Sequence, residues 1–149
     1  MIKKELDNIL KQHSLWLSTN GAEGTRANLS KADLSNADLN GADLRYAYLY
    51  GADLRRADLR HACLYGADLS DSDLRRADLR YANLRHANLR NANLSCADLS
   101  SADLSNADLN GAYLSNADLS YTDLRYTNLS YTDLSNADLR GAKTKATLP

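Results

Sequence analysis

Leucine occupies every fifth position of this chain from Leu29 to Leu139, which gives 23 consecutive repeats without a gap. The residue two before each leucine is alanine in 19 repeats, and the residue directly before it is mostly Asp or Asn. The other four repeats carry small residues in place of alanine, namely Ser72, Thr122, Thr127 and Thr132. Five residues turn about 500° on an α-helix and alternate faces on a flat strand, so neither element buries every leucine. The pattern therefore predicts a chain that bends once per repeat around a leucine core, which is a solenoid.

Residues 2–17 lack the repeat and have the pattern of an amphipathic helix. Their apolar side chains fall within about 120° on a helical wheel. These side chains belong to Ile2, Leu6, Ile9, Leu10, His13, Trp16 and Leu17. A solenoid exposes unpaired backbone and core side chains at each end, so we interpret this helix as a cap. A helix that binds a membrane surface or a partner is the alternative.

The unbroken A-D/N-L-x-x tandem resembles the pentapeptide-repeat proteins over about 115 of the 149 residues. The resemblance implies an all-β solenoid, a right-handed quadrilateral β-helix with four repeats, about 20 residues, per coil. We expect about six coils and a short N-terminal capping α-helix. The octapeptide at 53–60 recurs identically at 73–80, one such coil later, which agrees with this period. The resemblance also indicates a bacterial source.

The chain accordingly divides into a capping helix at 1–20, a repeat β-helix at 21–141 and a C-terminal tail at 142–149. In the tail, Thr144 replaces the expected leucine, and the register slips at Ala146, Thr147 and Leu148. We expect the last coil to be covered by this tail or to pair with a second copy. End-to-end homodimerisation through the C-terminal coil is the preferred hypothesis.

The corner of each repeat is expected at the second residue after leucine. Ten of these positions are Gly or Asn, which tolerate the positive φ of a type II turn. Corners with Tyr, His or Arg are expected to use another turn type. Tyr121, Tyr126 and Tyr131 mark three successive corners, either as interface residues or as fillers of corner positions.

Two charged features emerge when the sequence is arranged with a 20-residue period. One face carries Asp before every leucine, and we call this row the acidic ladder. Its members are Asp38, Asp58, Asp78, Asp98, Asp118 and Asp138. The neighbouring face carries Arg55 and Arg56 directly beneath Arg75 and Arg76, and we call these four residues the arginine cluster. Both features are interpreted either as a salt-bridge lattice that solvates the rod or as a docking surface.

The charge is segregated along the chain although the total is only −1. Residues 45–90 hold nine Arg against six Asp, a net charge of +3. Residues 91–149 hold two Arg and two Lys against seven Asp, a net charge of −3. No signal peptide or membrane span is apparent, and Cys63 and Cys96 are expected to be free thiols, so we expect a cytoplasmic protein that does not bind membranes.

No catalytic, cofactor or metal site is expected. The three histidines have no nucleophile with an orienting acid, and His61 with Cys63 lacks further metal ligands. We therefore expect a non-enzymatic protein that binds a protein partner through rigid faces, the partner being unknown. The resemblance offers an alternative, a DNA-mimicking modulator of a DNA-binding protein such as DNA gyrase. Direct nucleic-acid binding through the arginine cluster is less favoured because Asp is interleaved throughout.

Overall fold

The structure is a computed structural model that describes residues 1 and 3–145, and it contains one helix followed by a solenoid. The helix α1 spans Lys3–Ser18, so it agrees with the predicted amphipathic helix, while Ile2 lies outside the described residues. Beyond its end, the amide of Gly21 donates to the Trp16 carbonyl at 2.8 Å. Gly21 has φ +84°, the left-handed conformation in which chains often leave a helix.

The solenoid is built from parallel single-residue β-bridges between residues 20 apart. They run from Asn28 with Tyr48 to Asp123 with Lys143, and each falls on the position before leucine or its equivalent. The Leu54 amide donates to the Asp73 carbonyl at 2.7 Å, and the Asp53 amide donates back to the Ala32 carbonyl at 2.9 Å. Because four repeats separate bridged residues, the rod has four faces, and side chains 20 residues apart lie above one another.

All 23 corners of the solenoid share one backbone conformation, with positive φ at the second residue after leucine. Eighteen of these residues are not glycine, and they include Tyr46 (φ 61°), Arg56 (φ 58°) and His61 (φ 58°). The prediction of another turn type at Tyr, His and Arg corners was therefore wrong. The left-handed conformation costs such residues roughly 1–2 kcal/mol each. The hydrogen bonds between coils fix it nonetheless, as at Arg56, whose amide donates to the Arg75 carbonyl at 3.1 Å.

The Asp or Asn before leucine has a structural role that the sequence analysis missed. Its side-chain oxygen accepts a hydrogen bond from the amide two residues later, as from Ser35 to Asp33 Oδ1 at 3.0 Å. This is an Asx turn, and it closes the bend into the corner. The A-D/N-L phrase thus combines a small interior residue, a turn-closing side chain and a core leucine.

The leucines fill the interior, and α1 covers the first coil. Leu6 belongs to the core, and Ile9 and Leu10 pack against it. The Ala27 amide donates to Nδ1 of the fully buried His13 at 3.0 Å, which ties α1 to the first repeat. The helix therefore contacts the rod as a cap would. The predicted register slip at 146–148 lies outside the described residues.

Candidate functional site

The acidic ladder forms a continuous row, because β-bridges join each of its aspartates to the next. All six accept an amide hydrogen bond from the residue two positions later, at 2.8–3.2 Å. Arg60, Arg80 and Arg140 also donate from Nε and Nη2 to the ladder aspartate two residues earlier. The ladder carboxylates are therefore turn-closing groups, and three of the six are neutralised by arginine.

These contacts strengthen the ionised form of the paired aspartates. The side-chain hydrogen bond from Arg60 lowers the pKa of Asp58, and that from Arg80 lowers the pKa of Asp78. Burial opposes both shifts but is the smaller effect. Arg60 Nε also lies 3.7 Å from Asp78 Oδ2, so the ion pairs extend from one coil to the next.

The arginine cluster lies at one corner of the rod, on two coils that are held in register by the bridge between Asp53 and Asp73. Arg55 Nε donates to Asp53 Oδ1 at 2.8 Å, and Arg75 Nε donates to Asp73 Oδ1 at 2.9 Å. Each arginine also reaches the second carboxylate oxygen through Nη2, so both pairs are bidentate. Such pairs hold a guanidinium in a fixed orientation.

The hydrogen bonds from the cluster also shift the pKa of its carboxylates. Hydrogen bonding by the Arg55 side chain lowers the pKa of Asp53, and hydrogen bonding by Arg75 lowers the pKa of Asp73. The pKa of each arginine is raised by the same contact. Both ion pairs therefore remain charged through the neutral pH range.

All four residues of the arginine cluster line a shallow groove of about 440 Å³. Ser35 and Asn36 line it on the preceding coil, and Ser95 and Cys96 line it on the following coil. Arg56 and Arg76 occupy the corner positions and are exposed. The structure thus brings together the four arginines that the 20-residue period grouped.

Arg56 and Arg76 differ from the other arginines of the chain. All twelve arginines lie within the described residues, and nine of them form ion pairs with aspartate. Arg26 donates from Nη1 to the Tyr48 hydroxyl at 2.7 Å and lies over that ring at 3.8 Å. Within residues 3–145, Arg56 and Arg76 are left without an ion pair or a side-chain hydrogen bond.

The three predicted tyrosines lie at different edges of the rod. Tyr121, Tyr126 and Tyr131 are 69%, 66% and 92% exposed, at successive corners. Because each corner belongs to another edge, the three rings surround the last coil and do not form one patch.

A different aromatic group forms near the start of the rod. Tyr46 packs edge-on against Tyr65 with centroids 5.6 Å apart, and Tyr65 packs against His86 at 5.3 Å. The sequence places Tyr46 and Tyr65 near the first two coils, but it does not show His86 beside them, because His86 follows Tyr65 by 21 residues and joins it only once the coil is formed.

Within the part of the chain that the structure describes, no three His, Cys, Asp or Glu side chains are placed to hold a metal ion together. Cys63 and Cys96 are free thiols, as predicted. The single described helix falls short of the length and apolar content needed to cross a membrane.

The model of the pentapeptide repeat family matches residues 19–41, 37–76, 72–111 and 107–143. A pentapeptide repeat protein (Rfr23) from the cyanobacterium Cyanothece 51142 is 42% identical to this chain, with a TM-score of 0.54. The match covers 63% of this chain and 60% of the Rfr23 chain. A pentapeptide repeat protein of the Arabidopsis thaliana thylakoid lumen is 34% identical, with a TM-score of 0.61 and coverage of 63% and 66%. This chain thus spans less than two thirds of either protein. None of the curated proteins compared with the sequence matches it significantly.

QnrB1, a plasmid-mediated fluoroquinolone resistance protein, shares the fold with a TM-score of 0.53, over 85% of this chain and 70% of its own. Its identity of 23% supports a likeness of fold alone. Together with the bridges between residues 20 apart, the solved structures confirm a right-handed quadrilateral β-helix with an N-terminal helix. The count of about six coils stays a prediction.

Proposed function

The chain belongs to the pentapeptide repeat family, and from this premise we propose that it is a non-enzymatic scaffold that binds a protein partner. Its rigid faces, on a rod of about six coils, would present side chains at fixed spacing. Proteins of this family are generally structural or protein-binding scaffolds, which supports the proposal.

The observation that carries this proposal is the fixed placement of two members of the arginine cluster, Arg55 and Arg75. Bidentate pairs with Asp53 and Asp73 orient Arg55 and Arg75. The β-bridge between the same two aspartates holds the two coils in register. A surface that is ordered before binding loses little conformational entropy when a partner docks. The outward side chains of this rod therefore suit recognition of another protein surface.

The test is affinity capture from a lysate of the native cell, followed by reconstitution with the purified partner. The bait is the intact chain, compared with a variant in which Arg55, Arg56, Arg75 and Arg76 are replaced by Ala. We expect a partner that binds the intact chain in a fixed stoichiometry and is lost with the variant. If neither protein forms a defined complex with any captured protein after purification, the proposal is wrong.

The acidic ladder is the one feature that favours the DNA-mimic alternative. Its six aspartates and the three arginines paired with them leave a net charge of −3 on that row. At about 4.8 Å per coil this is roughly one net charge per 8–10 Å, against one per 1.7 Å along duplex DNA. The alternative is therefore the weaker candidate. DNA gyrase supercoiling that is unchanged by micromolar protein would remove it.

We also propose that two copies pair end to end through the C-terminal coil. In the last described coil, Leu139 is 42% exposed, although its equivalent Leu119 is fully buried one coil earlier. Pairing would cover this apolar surface. Light scattering at micromolar concentration should give the mass of a dimer, and Leu139→Glu should return the mass to that of a monomer. A monomeric mass for the unmodified chain contradicts the proposal.

A further inference from the structure

Arg56 and Arg76 adopt a strained backbone conformation whose cost their side chains do not offset. Both occupy the left-handed region, with φ of 58° and 61°, where glycine or asparagine would fit with less strain. They lie at the same corner of consecutive coils, about 4.8 Å apart along the rod. Because the two residues carry like charges on adjacent coils, they also repel each other. Neither side chain gains an ion pair or a hydrogen bond in return.

The local ion pairs also leave the positive charges of these two arginines without a neutralising carboxylate. Arg55 and Arg75 are matched by Asp53 and Asp73, each through a bidentate pair. The four arginines that line the groove and the two aspartates paired with them therefore have a net charge of +2, which comes from Arg56 and Arg76. On the adjoining face, Arg60 and Arg80 pair with Asp58 and Asp78 and add nothing to this charge.

We propose that this groove binds a phosphorylated side chain of the protein partner, with Arg56 and Arg76 as its principal ligands. The inference rests on the proposed function, since it names the chemistry by which the partner is recognised. The corner arginines donate from their Nη and Nε atoms to the phosphoryl oxygens. Arg55 and Arg75, already fixed by aspartate, supply further donors from Nη1.

A phosphoryl group fits this site better than a carboxylate does. A phosphomonoester carries a charge of about −1.5 to −2 at neutral pH and offers three acceptor oxygens. It can therefore neutralise both unpaired guanidinium groups at once, whereas a carboxylate neutralises one. The planar guanidinium fork also matches phosphate in a bidentate arrangement.

A single phosphoryl group also fits better than a nucleic-acid backbone. Binding along a nucleic acid requires a track of cations to match successive phosphates. On this rod the unpaired cations stop after two coils, because Cys96 continues the corner column above Arg76 and Asn36 precedes Arg56. The site therefore has the extent of one phosphate.

The direct test is an NMR titration that follows the arginine Nε–H resonances of the full chain at physiological ionic strength. The probe is a short glycine–alanine peptide with one central phosphoserine, and the reference is the same peptide with serine. We expect saturable shifts of the Arg56 and Arg76 resonances with the phosphopeptide alone. Equal shifts with both peptides, or none with either, would overturn the proposal.

Matched double variants separate recognition from net charge. Arg56→Ala with Arg76→Ala should weaken phosphopeptide binding about tenfold or more, because the variant lacks both principal ligands of the phosphoryl group. Arg60→Ala with Arg80→Ala removes two arginines from the same two coils on the adjoining face and should leave binding nearly unchanged. An equal loss of phosphopeptide affinity in both variants would show that net charge alone attracts the peptide, and it would refute the assignment of the site to Arg56 and Arg76.

Two further measurements test whether the anion is free or part of a peptide, and whether a negative result concerns the phosphoryl group or the scaffold function. Inorganic phosphate should bind more weakly than the phosphopeptide, and equal affinity would reduce the site to one for a free anion and overturn the peptide assignment. The captured partner should lose its affinity for the chain after phosphatase treatment. A partner that binds equally well before and after treatment would leave the scaffold function intact and refute the phosphoryl inference.

Discussion

The two ends of the rod differ in how their core leucines are covered. In the first coil, Leu29, Leu34 and Leu39 are at most 2% exposed beneath α1. In the last described coil, Leu129 and Leu134 are partly buried and Leu139 is 42% exposed. The leucine spacing is the same at both ends, and the difference coincides with the cover that α1 gives the first coil.

This difference shows that a repeat of this kind cannot bury its own leucine. Each leucine is covered by the coils on either side, so stability depends on contacts between neighbours rather than on the repeat alone. A cap at one end replaces the missing neighbour with a helix. We therefore expect substitutions to matter according to their position along the rod, even where the local sequence is identical.

The largest effect is expected for leucines in the middle of the rod. Leu79→Ala leaves a cavity between two covered coils and should reduce the free energy of unfolding by about 2–5 kcal/mol. Leu139→Ala removes a side chain that is already 42% exposed, and should cost about 1 kcal/mol or less. Urea unfolding followed by circular dichroism measures both, and equal losses would contradict dependence on neighbouring coils.

The contact between α1 and the rod should be the next most sensitive feature. A Cβ atom added at Gly24 would lie 2.3 Å from the Gln12 carbonyl oxygen and 2.7 Å from the Trp16 nitrogen, both helix backbone. Gly24→Ala should therefore displace α1. It should lower the free energy of unfolding by about 1–3 kcal/mol, in addition to the strain of an alanine in the left-handed conformation. The measurement is loss of helical ellipticity at a lower urea concentration than in the unmodified chain.

Gly41→Ala is the matched control for this prediction. Gly41 has a similar φ, +66° against +72°, but nothing lies within 4 Å of its added Cβ. It should show the strain of the left-handed conformation without the clash. If both variants lose the same stability, close packing of α1 against Gly24 is not what holds the cap.

The cap should also weaken at acidic pH because of His13. Burial is the largest effect on this side chain and lowers the pKa of His13 below its ordinary value. The Arg45 backbone and the Asp43 charge oppose this shift, while the charges of Arg26 and Arg45 add to it. The neutral ring accepts the Ala27 amide at Nδ1, and Nε2 is buried without a partner among the described residues.

The direction of this pH dependence follows from the linkage between proton binding and folding. Between the lowered pKa and about 6.5 the unfolded chain binds the proton more readily than the folded chain, so stability rises with pH there. We expect unfolding of α1 to become easier as pH falls below about 6.5, and His13→Gln to remove this dependence. Thermal unfolding monitored at a series of pH values tests it, and an unaltered pH profile in the variant would contradict the assignment to His13.

The sequence predicts the core and the cap but not the contacts of the surface. The five-residue spacing fixes which side of the chain is apolar, so the buried leucines and the solenoid follow from it directly. The positive φ of Arg56 or Tyr46 does not follow, because the hydrogen bonds between coils override the preference of the individual residue. Likewise, the 20-residue period places Arg55 above Ser35 and beneath Arg75, but only atomic positions show that Asp53 of its own repeat holds it. The unpaired state of Arg56 and Arg76 is visible only after such pairs are assigned.

The smallest effects are expected from the ion pairs of the acidic ladder. Arg60 contacts Asp58 in its own coil and Asp78 in the next, whereas Arg140 pairs with Asp138 alone and its side chain is 84% exposed. Exposed ion pairs contribute little and are screened by salt. Arg60→Ala should therefore lower the urea midpoint slightly more than Arg140→Ala at low salt, and the two variants should become indistinguishable in 1 M salt. A larger loss for Arg140→Ala would mean that the last coil is held by its own ion pair rather than by its neighbours, and the contrast between middle and end would fail.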